Sequence, residues 1–372
     1  MPVTDFLQAR LDTLRATGQF RELPPHRQGT DFWSNDYLGF SRLLHAAPPT
    51  GIHAPGSRLI SGNHPRTEAL EARIARFHGY PAALLYGSGY AANTGLLGCL
   101  GRRTDTIVYD AYIHASLRDG IRLSGATARR CKHNRVEDFG MAISSARPDG
   151  QVFVVTEGRF SMDGDVAPLS ELAVLCGELG AHLIVDEAHT TGLDGPLGAG
   201  TVAAAGIQDR VFATVQTYGK AAGFHGAAVL GSRALRDYLV NFSRPFIYTT
   251  AVPPAYVAGL EAVYDALAAR QPEAVDRLRS VIARYRERIG DRLPGTDRGH
   301  DGPIQTVRLP GNERVMRAEA RLLAAGYLVK GIRSPTVAPG SERLRICLHA
   351  FNTFAEVDGL VDQLAAVSNH PV

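Results

Sequence analysis

The sequence predicts an α/β fold: a mostly parallel central sheet flanked by helices, with a smaller α+β domain toward the C-terminus. Three observations carry this. Five short apolar runs recur between residues 82 and 215, each about the length of one buried strand. The stretches between them are long enough to hold a helix, which makes neighbouring strands parallel and covers both sheet faces. Around Ala251-Val252-Pro253-Pro254 the pattern gives way to a long helical stretch and then to mixed short elements. A chain of 372 residues allows about two or three domains at roughly 100–200 residues each. The changes in pattern divide it into an N-terminal helix and arm, 1–50, a large domain, 51–255, and a small C-terminal domain, 256–372.

The elements follow in order. The first twenty residues space Phe6, Leu7, Leu11 and Leu14 as an amphipathic helix does. A polar, Pro-containing stretch runs from Arg21 to Asp31, and a Pro- and Gly-rich passage from Ala46 to Gly62 reads as ordered loop. A helix pattern spans Thr67 to His78. The strand candidates are then Ala82–Tyr86, Thr106–Tyr109, Val152–Thr156, His182–Val185 and Val211–Val215. A long helix is expected over Tyr256 to Arg288, and further strands near Ile304–Val307 and Leu344–Leu348. The sequence holds no evident internal repeat and no low-complexity segment.

Lys plus Arg is 40 and Asp plus Glu is 37, a formal charge of +3, too small an excess to point to nucleic acid. Cys99, Cys131, Cys176 and Cys347 are far apart and none has the spacing of a zinc or redox pair. Neither a metal site nor a disulfide framework is expected, and a reducing compartment is. The N-terminus lacks the apolar core of a signal peptide, and no apolar run approaches 18 residues. These features predict a cytoplasmic protein with no membrane partner, an enzyme or a binding protein. His53, His64, His78, His133 and His182 have no mutual ligand spacing and read as structural or surface histidines; Trp33 and Tyr37 read as packing.

Three motifs carry candidate chemistry. Gly87-Ser88-Gly89-Tyr90-Ala91-Ala92 follows a strand and opens a helix. It fits the dinucleotide fingerprint, with Asp110 as the ribose acid. It fits equally any phosphate held at a helix N-terminus, or a plain strand-to-helix turn. Asp186-Glu187-Ala188-His189 ends a strand and spells a helicase acidic motif, but the chain contains no phosphate loop with Gly-Lys-Ser/Thr. Asp186 is then a strand-end carboxylate where α/β sheets bind ligands, or a buried structural acceptor. Thr217-Tyr218-Gly219-Lys220-Ala221-Ala222-Gly223 sets a lysine among small residues, where desolvation would favour a Schiff-base amine. A phosphate turn, a strand-end carboxylate and such a lysine on one sheet are together the parts a pyridoxal phosphate site needs.

Taken in order, Asn35-Asp36-Tyr37-Leu38-Gly39, Ser88-Gly89-Tyr90-Ala91-Ala92-Asn93, His114-Ala115-Ser116, Thr156-Glu157-Gly158 with Ser161-Met162-Asp163-Gly164-Asp165, Asp186-Glu187-Ala188-His189 and Thr217-Tyr218-Gly219-Lys220 resemble the α-oxoamine synthases. These are fold type I pyridoxal phosphate enzymes that join an amino acid to an acyl thioester, and the resemblance runs from about Asp31 to the C-terminus. It implies that 51–255 is the cofactor domain and that Lys220 forms the Schiff base and acts as base at the substrate Cα. Asp186 would pair with the ring nitrogen, His114 stack on the ring, and His189 bond the phenolic oxygen, with Ser161 the other candidate there. The phosphate would take the amides of Gly89 and Tyr90 and the Thr217 hydroxyl, with Ser88 beside them and Thr249 supplied across a homodimer interface. Arg345 and Asn35 would grip the substrate carboxylate. Arg21 would meet the far end of the acyl chain, and Thr336 completes the substrate-binding set. His225, in a glycine-rich stretch, is open to two readings, toward the cofactor or away from it.

The activity that the resemblance implies is an acyltransferase reaction of biotin synthesis. L-alanine condenses with a pimeloyl thioester, on CoA or a carrier protein, with loss of CO2 and release of the thiol. The alternatives are a member of the family that uses glycine or another acyl-CoA, and, from a different class, an NAD-binding oxidoreductase resting on Gly87 to Ala92.

Overall fold

The computed structural model describes residues 12–18, 28–42, 51, 54–290, 292–293 and 301–369. The strands are β1 Thr30–Asp31, β2 Ala82–Tyr86, β3 Thr106–Asp110, β4 Thr127–Cys131, β5 Val152–Glu157, β6 His182–Asp186, β7 Val211–Thr217, β8 Ala227–Gly231, β9 Ile304–Arg308, β10 Tyr327–Leu328, β11 Lys330–Ile332 and β12 Arg343–Cys347. The chain divides into two compact units. The smaller comprises Met1–Tyr37, Met162–Gly164 and Asp276–Val372, and the larger Leu38–Ser161 and Asp165–Val275.

The larger unit holds one sheet in the order β2-β8-β7-β6-β5-β3-β4. β4, β3, β5, β6 and β7 are parallel neighbours, and β8 runs antiparallel to both β7 and β2. The apolar runs of β5, β6 and β7 are buried on both faces, which strands covered on two sides require. After β3 the chain steps out to the edge as β4, then returns to the other side of β3 as β5. That reversal opens a crevice at the carboxyl ends of the strands, where such sheets take ligands.

Two strands of this sheet escape the apolar-run pattern. β4 is an edge strand reading Thr-Ala-Arg-Arg-Cys, with only Cys131 buried, so its sequence looks like surface. β8 is wholly buried but made of Ala, Val, Leu and Gly directly after Gly226, which reads as a continuation of the lysine loop. Helix boundaries shift for local reasons. The helix expected from Thr67 begins at Pro65, whose missing N–H costs nothing in the first turn. His64 Nδ1 accepts the Arg66 amide at 3.1 Å, and Gly79 closes the helix at φ 78°. The long helix runs Pro254–Gly290 and carries Pro272 within it. Of the first twenty residues only 12–18 are described, with a helical turn over 12–16. Among the described residues no helix is long and apolar enough to cross a membrane.

The smaller unit contains an antiparallel sheet, β11-β12-β9, and a parallel pair, β1 with β10. β12 is buried throughout although it carries Arg343 and Arg345, so both guanidinium groups need partners inside the unit. Arg343 pairs with Asp163. The segment after β1 is tied to β12 and its extension by Cys347 N–H to Phe32 O at 2.8 Å and Ala350 N–H to Tyr37 O at 2.7 Å. Those two bonds lay Asn35 beside Arg345.

Candidate active site

At the carboxyl edge of the large sheet lies a cavity of about 250 Å³. Each wall follows a strand. Ser88, Gly89 and Tyr90 come after β2, and His114 after β3. Glu157 ends β5 and Asp186 ends β6, with His189 just beyond it. Thr217 ends β7, followed by Lys220.

One end suits a phosphate. The helix Gly89–Leu100 starts at Ser88, whose Oγ accepts the Ala91 amide at 3.1 Å and whose carbonyl accepts the Ala92 amide at 3.0 Å. Self-capping therefore begins at Ala91, and the Gly89 and Tyr90 amides are the ones a helix N-terminus leaves for an anion. A Cβ on residue 89 would come within 2.7 Å of Thr217 Cγ2, so only glycine lets this amide approach the Thr217 side chain.

Asp186 is 3% exposed. Its Oδ2 accepts Asn93 Nδ2 at 2.7 Å and its Oδ1 the Ala188 amide at 2.9 Å. Both donors are neutral, so the buried carboxylate retains its demand for a cationic N–H such as a pyridinium. The second Asn93 proton goes to Ser116 Oγ at 2.9 Å, and Ser116 Oγ lies 2.7 Å from His114 Nδ1. The Ser116 amide also donates to Nδ1, at 3.2 Å. Nδ1 is therefore an acceptor, and the neutral imidazole carries its proton on Nε2. Burial, with Lys220 nearby, holds His114 below the ordinary histidine pKa despite Asp186, so it stays neutral at neutral pH.

Lys220 sits half-buried on a tight loop closed by Phe224 N–H to Tyr218 O at 2.7 Å and Tyr218 N–H to Gly226 O at 3.0 Å. Beneath it runs a buried polar chain. His78 Nδ1 lies 2.9 Å from the Ala199 carbonyl and so carries the proton, while Nε2 takes the Tyr264 hydroxyl at 2.9 Å. Tyr264 in turn accepts from Tyr218 at 3.1 Å. Burial pushes His78 down to about 4, which keeps it neutral. Every O–H in the chain then has one direction, and the lysine loop rests on a satisfied base.

The structure thus brings Ser88, Gly89, Tyr90, His114, Asp186, His189, Thr217 and Lys220 around one cavity. His225 borders it too, its carbonyl accepting the Tyr256 hydroxyl at 2.9 Å. Glu187 turns away, accepting the Thr201 and Val202 amides at 2.9 and 2.8 Å. Ser161, half-buried on the loop after β5, is not among the lining residues, and Thr249 lines a separate small cavity with Arg58 and Phe246. In the smaller unit, Arg345 donates to Asn35 Oδ1 at 3.1 Å, and Tyr37 donates to the same oxygen at 3.0 Å. Tyr37, expected to be packing alone, also orients Asn35. Thr336 is exposed, its amide donating to the Arg333 carbonyl at 2.9 Å. Arg21 and His53 lie outside the described residues.

Asp110, which a dinucleotide site would need for ribose, is fully buried and already receives the Tyr112 and Asn134 amides at 2.7 and 2.8 Å and bonds His133 at 2.9 Å. Among the described residues no three His, Cys, Asp or Glu gather as a metal site. Sequence reasoning assigned no role to Asn93, Ser116 or Glu157. Asn93 had a signal: it stands four residues after Gly89 in a helix and so shares its face. The buried Asp186, the one-sided histidine, the loop lysine and the capped helix end together fit pyridoxal phosphate.

Residues 27–364 match the family model described as aminotransferase class I and II. The 8-amino-7-oxononanoate synthase of Anaeromyxobacter dehalogenans strain 2CP-1 is 40% identical over 98% of this chain and 95% of its own length. The enzyme of the same name from Chromohalobacter salexigens is 43% identical over 90% of this chain and 88% of its own. Among solved structures, a Sphingomonas wittichii serine palmitoyltransferase superposes with a TM-score of 0.87 at 26% identity, covering 99% of this chain and 97% of that one. The Francisella tularensis 8-amino-7-oxononanoate synthase superposes at 0.77 and 30% identity, covering 91% and 97%. By the family match, the relatives of nearly full length and the shared fold, the chain belongs to the class I and II aminotransferase family, as a pyridoxal phosphate-dependent acyltransferase of the fold type I α-oxoamine synthases.

Proposed function

We propose that this chain condenses L-alanine with a pimeloyl thioester, carried on CoA or a carrier protein, to give 8-amino-7-oxononanoate, CO2 and the free thiol. The observation that carries this reading is the single cavity where Lys220, Asp186, His114 and His189 meet, in a chain about 40% identical to synthases of that name. When bound, the cofactor supplies an electron sink for charge that forms at the substrate Cα. Asp186 holds the proton on the ring nitrogen, and Lys220 Nζ takes the proton from Cα. His114 would stack on the cofactor ring and His189 would bond the phenolic oxygen, with Ser161 the other candidate for that oxygen. Asn35 and Arg345 hold the amino-acid carboxylate until it leaves as CO2, Thr336 adds to substrate binding, and Arg21 meets the far end of the acyl chain. The chain acts as a homodimer, with Thr249 reaching the partner's phosphate.

The test is turnover. L-alanine, glycine or L-serine is offered with pimeloyl-CoA, pimeloyl carrier protein or palmitoyl-CoA, while thiol and CO2 release are followed. The expected outcome is coupled release with L-alanine and a pimeloyl donor, abolished in Lys220→Ala. Turnover confined to another acyl group or amino acid refutes the substrate while keeping the chemistry. A long-chain member of the family is the second reading, favoured by the closer superposition on serine palmitoyltransferase. Bound NAD, with activity surviving Lys220→Ala, refutes both.

A further inference from the structure

Two carboxyl groups end adjacent parallel strands and line the same cavity. Glu157 and Asp186 are register partners on β5 and β6, 2% and 3% exposed. Neighbouring side chains in parallel register share a face, so the two acids lie close in a medium that screens charge poorly. Two carboxylates so placed do not both ionise without strong compensation, and the one with more donors keeps the charge. Asp186 has two N–H donors, Asn93 and Ala188. Glu157 has one, the His114 amide, at 2.5 Å from its Oε1. Burial and then the Asp186 charge hold Glu157 well above the ordinary glutamate pKa, despite Lys220.

We propose that Glu157 is a positioning residue that works as an un-ionised carboxylic acid: its oxygen accepts the His114 amide, and its neutrality leaves Asp186 the one carboxylate on the cavity wall. The assignment rests on the pyridoxal phosphate reading only for its consequence. His114 is then held twice, by Glu157 at the backbone and by Ser116 at the ring. An ionised Glu157 would add a second negative charge beside Asp186 and compete for the cation that Asp186 retains. A glutamine at 157 keeps the accepting oxygen and the neutrality, whereas an alanine leaves the His114 amide without its acceptor.

The test compares wild type, Glu157→Gln and Glu157→Ala. In the cofactor-free protein at neutral pH, infrared difference spectra against Glu157→Gln report the carbonyl stretch of a protonated carboxyl group. Pyridoxal phosphate affinity is then titrated by the absorbance of its Schiff base, and folding is checked by thermal melts. The expected result is a protonated-carboxyl band that Glu157→Gln removes, affinity within about threefold of wild type in Glu157→Gln, and a loss of about tenfold or more in Glu157→Ala. No such band, or a Gln variant as impaired as the Ala variant, overturns the proposal. Should wild type bind no pyridoxal phosphate, the cofactor reading falls, and the infrared band alone still decides the state of Glu157.

Discussion

Asn93 uses both amide protons inside the cavity wall, one on Asp186 and one on Ser116. A hydrogen bond to a charged group is worth about 1.5–3 kcal/mol, which is roughly a tenfold to hundredfold change in binding. Replacing Asn93 with alanine is therefore expected to lower pyridoxal phosphate affinity by that factor and to loosen Ser116 and His114 as well. Asn93→Asp should be worse, because it sets a third acid beside Asp186 and Glu157. Both are read by titrating the Schiff-base absorbance; wild-type affinity in Asn93→Ala would exclude the role. Residues of this kind are where sequence reasoning is weakest. Lys220 and Asp186 announce themselves by their charge at strand ends, whereas Asn93 and Glu157 act through partners far away in the chain, and those partners are known only once strands are paired.

The loop after β3, which leads to His114, and the loop after β5, which leads through Ser161, are joined by one histidine. His133 bonds Asp110 at 2.9 Å through Nδ1 and Asp165 at 2.7 Å through Nε2. Its ring stacks on Tyr112 at 4.4 Å and meets the edge of Phe160 at 4.4 Å. Burial alone would lower its pKa, but the two aspartates outweigh it and raise it from 6.5 to about 9. With the folded pKa above the unfolded one, the bridge contributes fully below about 6.5. Its contribution declines between 6.5 and 9 and is gone above. The difference in melting temperature between wild type and His133→Gln should thus be largest near pH 6 and shrink to a small remainder by pH 10. A difference that does not change with pH would exclude the ionic bridge. Here the sequence was mute for a physical reason: a histidine 23 residues from one aspartate and 32 from the other has no local pattern.

At the scale of the whole molecule, strand existence was readable where burial on two faces came with large or β-branched apolar side chains, as in β5, β6 and β7. β4 and β8 were hidden, one because an edge tolerates arginine and the other because small residues under a tight loop look like more loop. The long helix was legible to within two residues at each end, since an amphipathic pattern of that length has few other readings. Thr249 lies outside the lysine cavity of its own chain. If a partner's Thr249 completes the phosphate site, then Lys220→Ala and Thr249→Glu should complement each other. Each variant alone is expected to be inactive or nearly so, and subunit exchange should restore about a quarter of wild-type sites, because half the dimers are mixed and each has one intact site. No recovery in proven mixed dimers would place Thr249 elsewhere.

The open edge of the sheet has a consequence for the protein in bulk. An exposed edge strand invites a second chain to pair with it, and β4 meets such a strand with Thr127, Ala128, Arg129 and Arg130. Arg129 is tied back to the carbonyls of Ala142 and Ser145, and Arg130 is exposed. Two copies approaching edge to edge would bring like charges together, a repulsion that falls as added salt shortens the screening length to about 3 Å at 1 M. The sheet can therefore end, among the described residues, in an uncovered strand and still be kept from joining its neighbour's, so long as the solution leaves those arginines their reach.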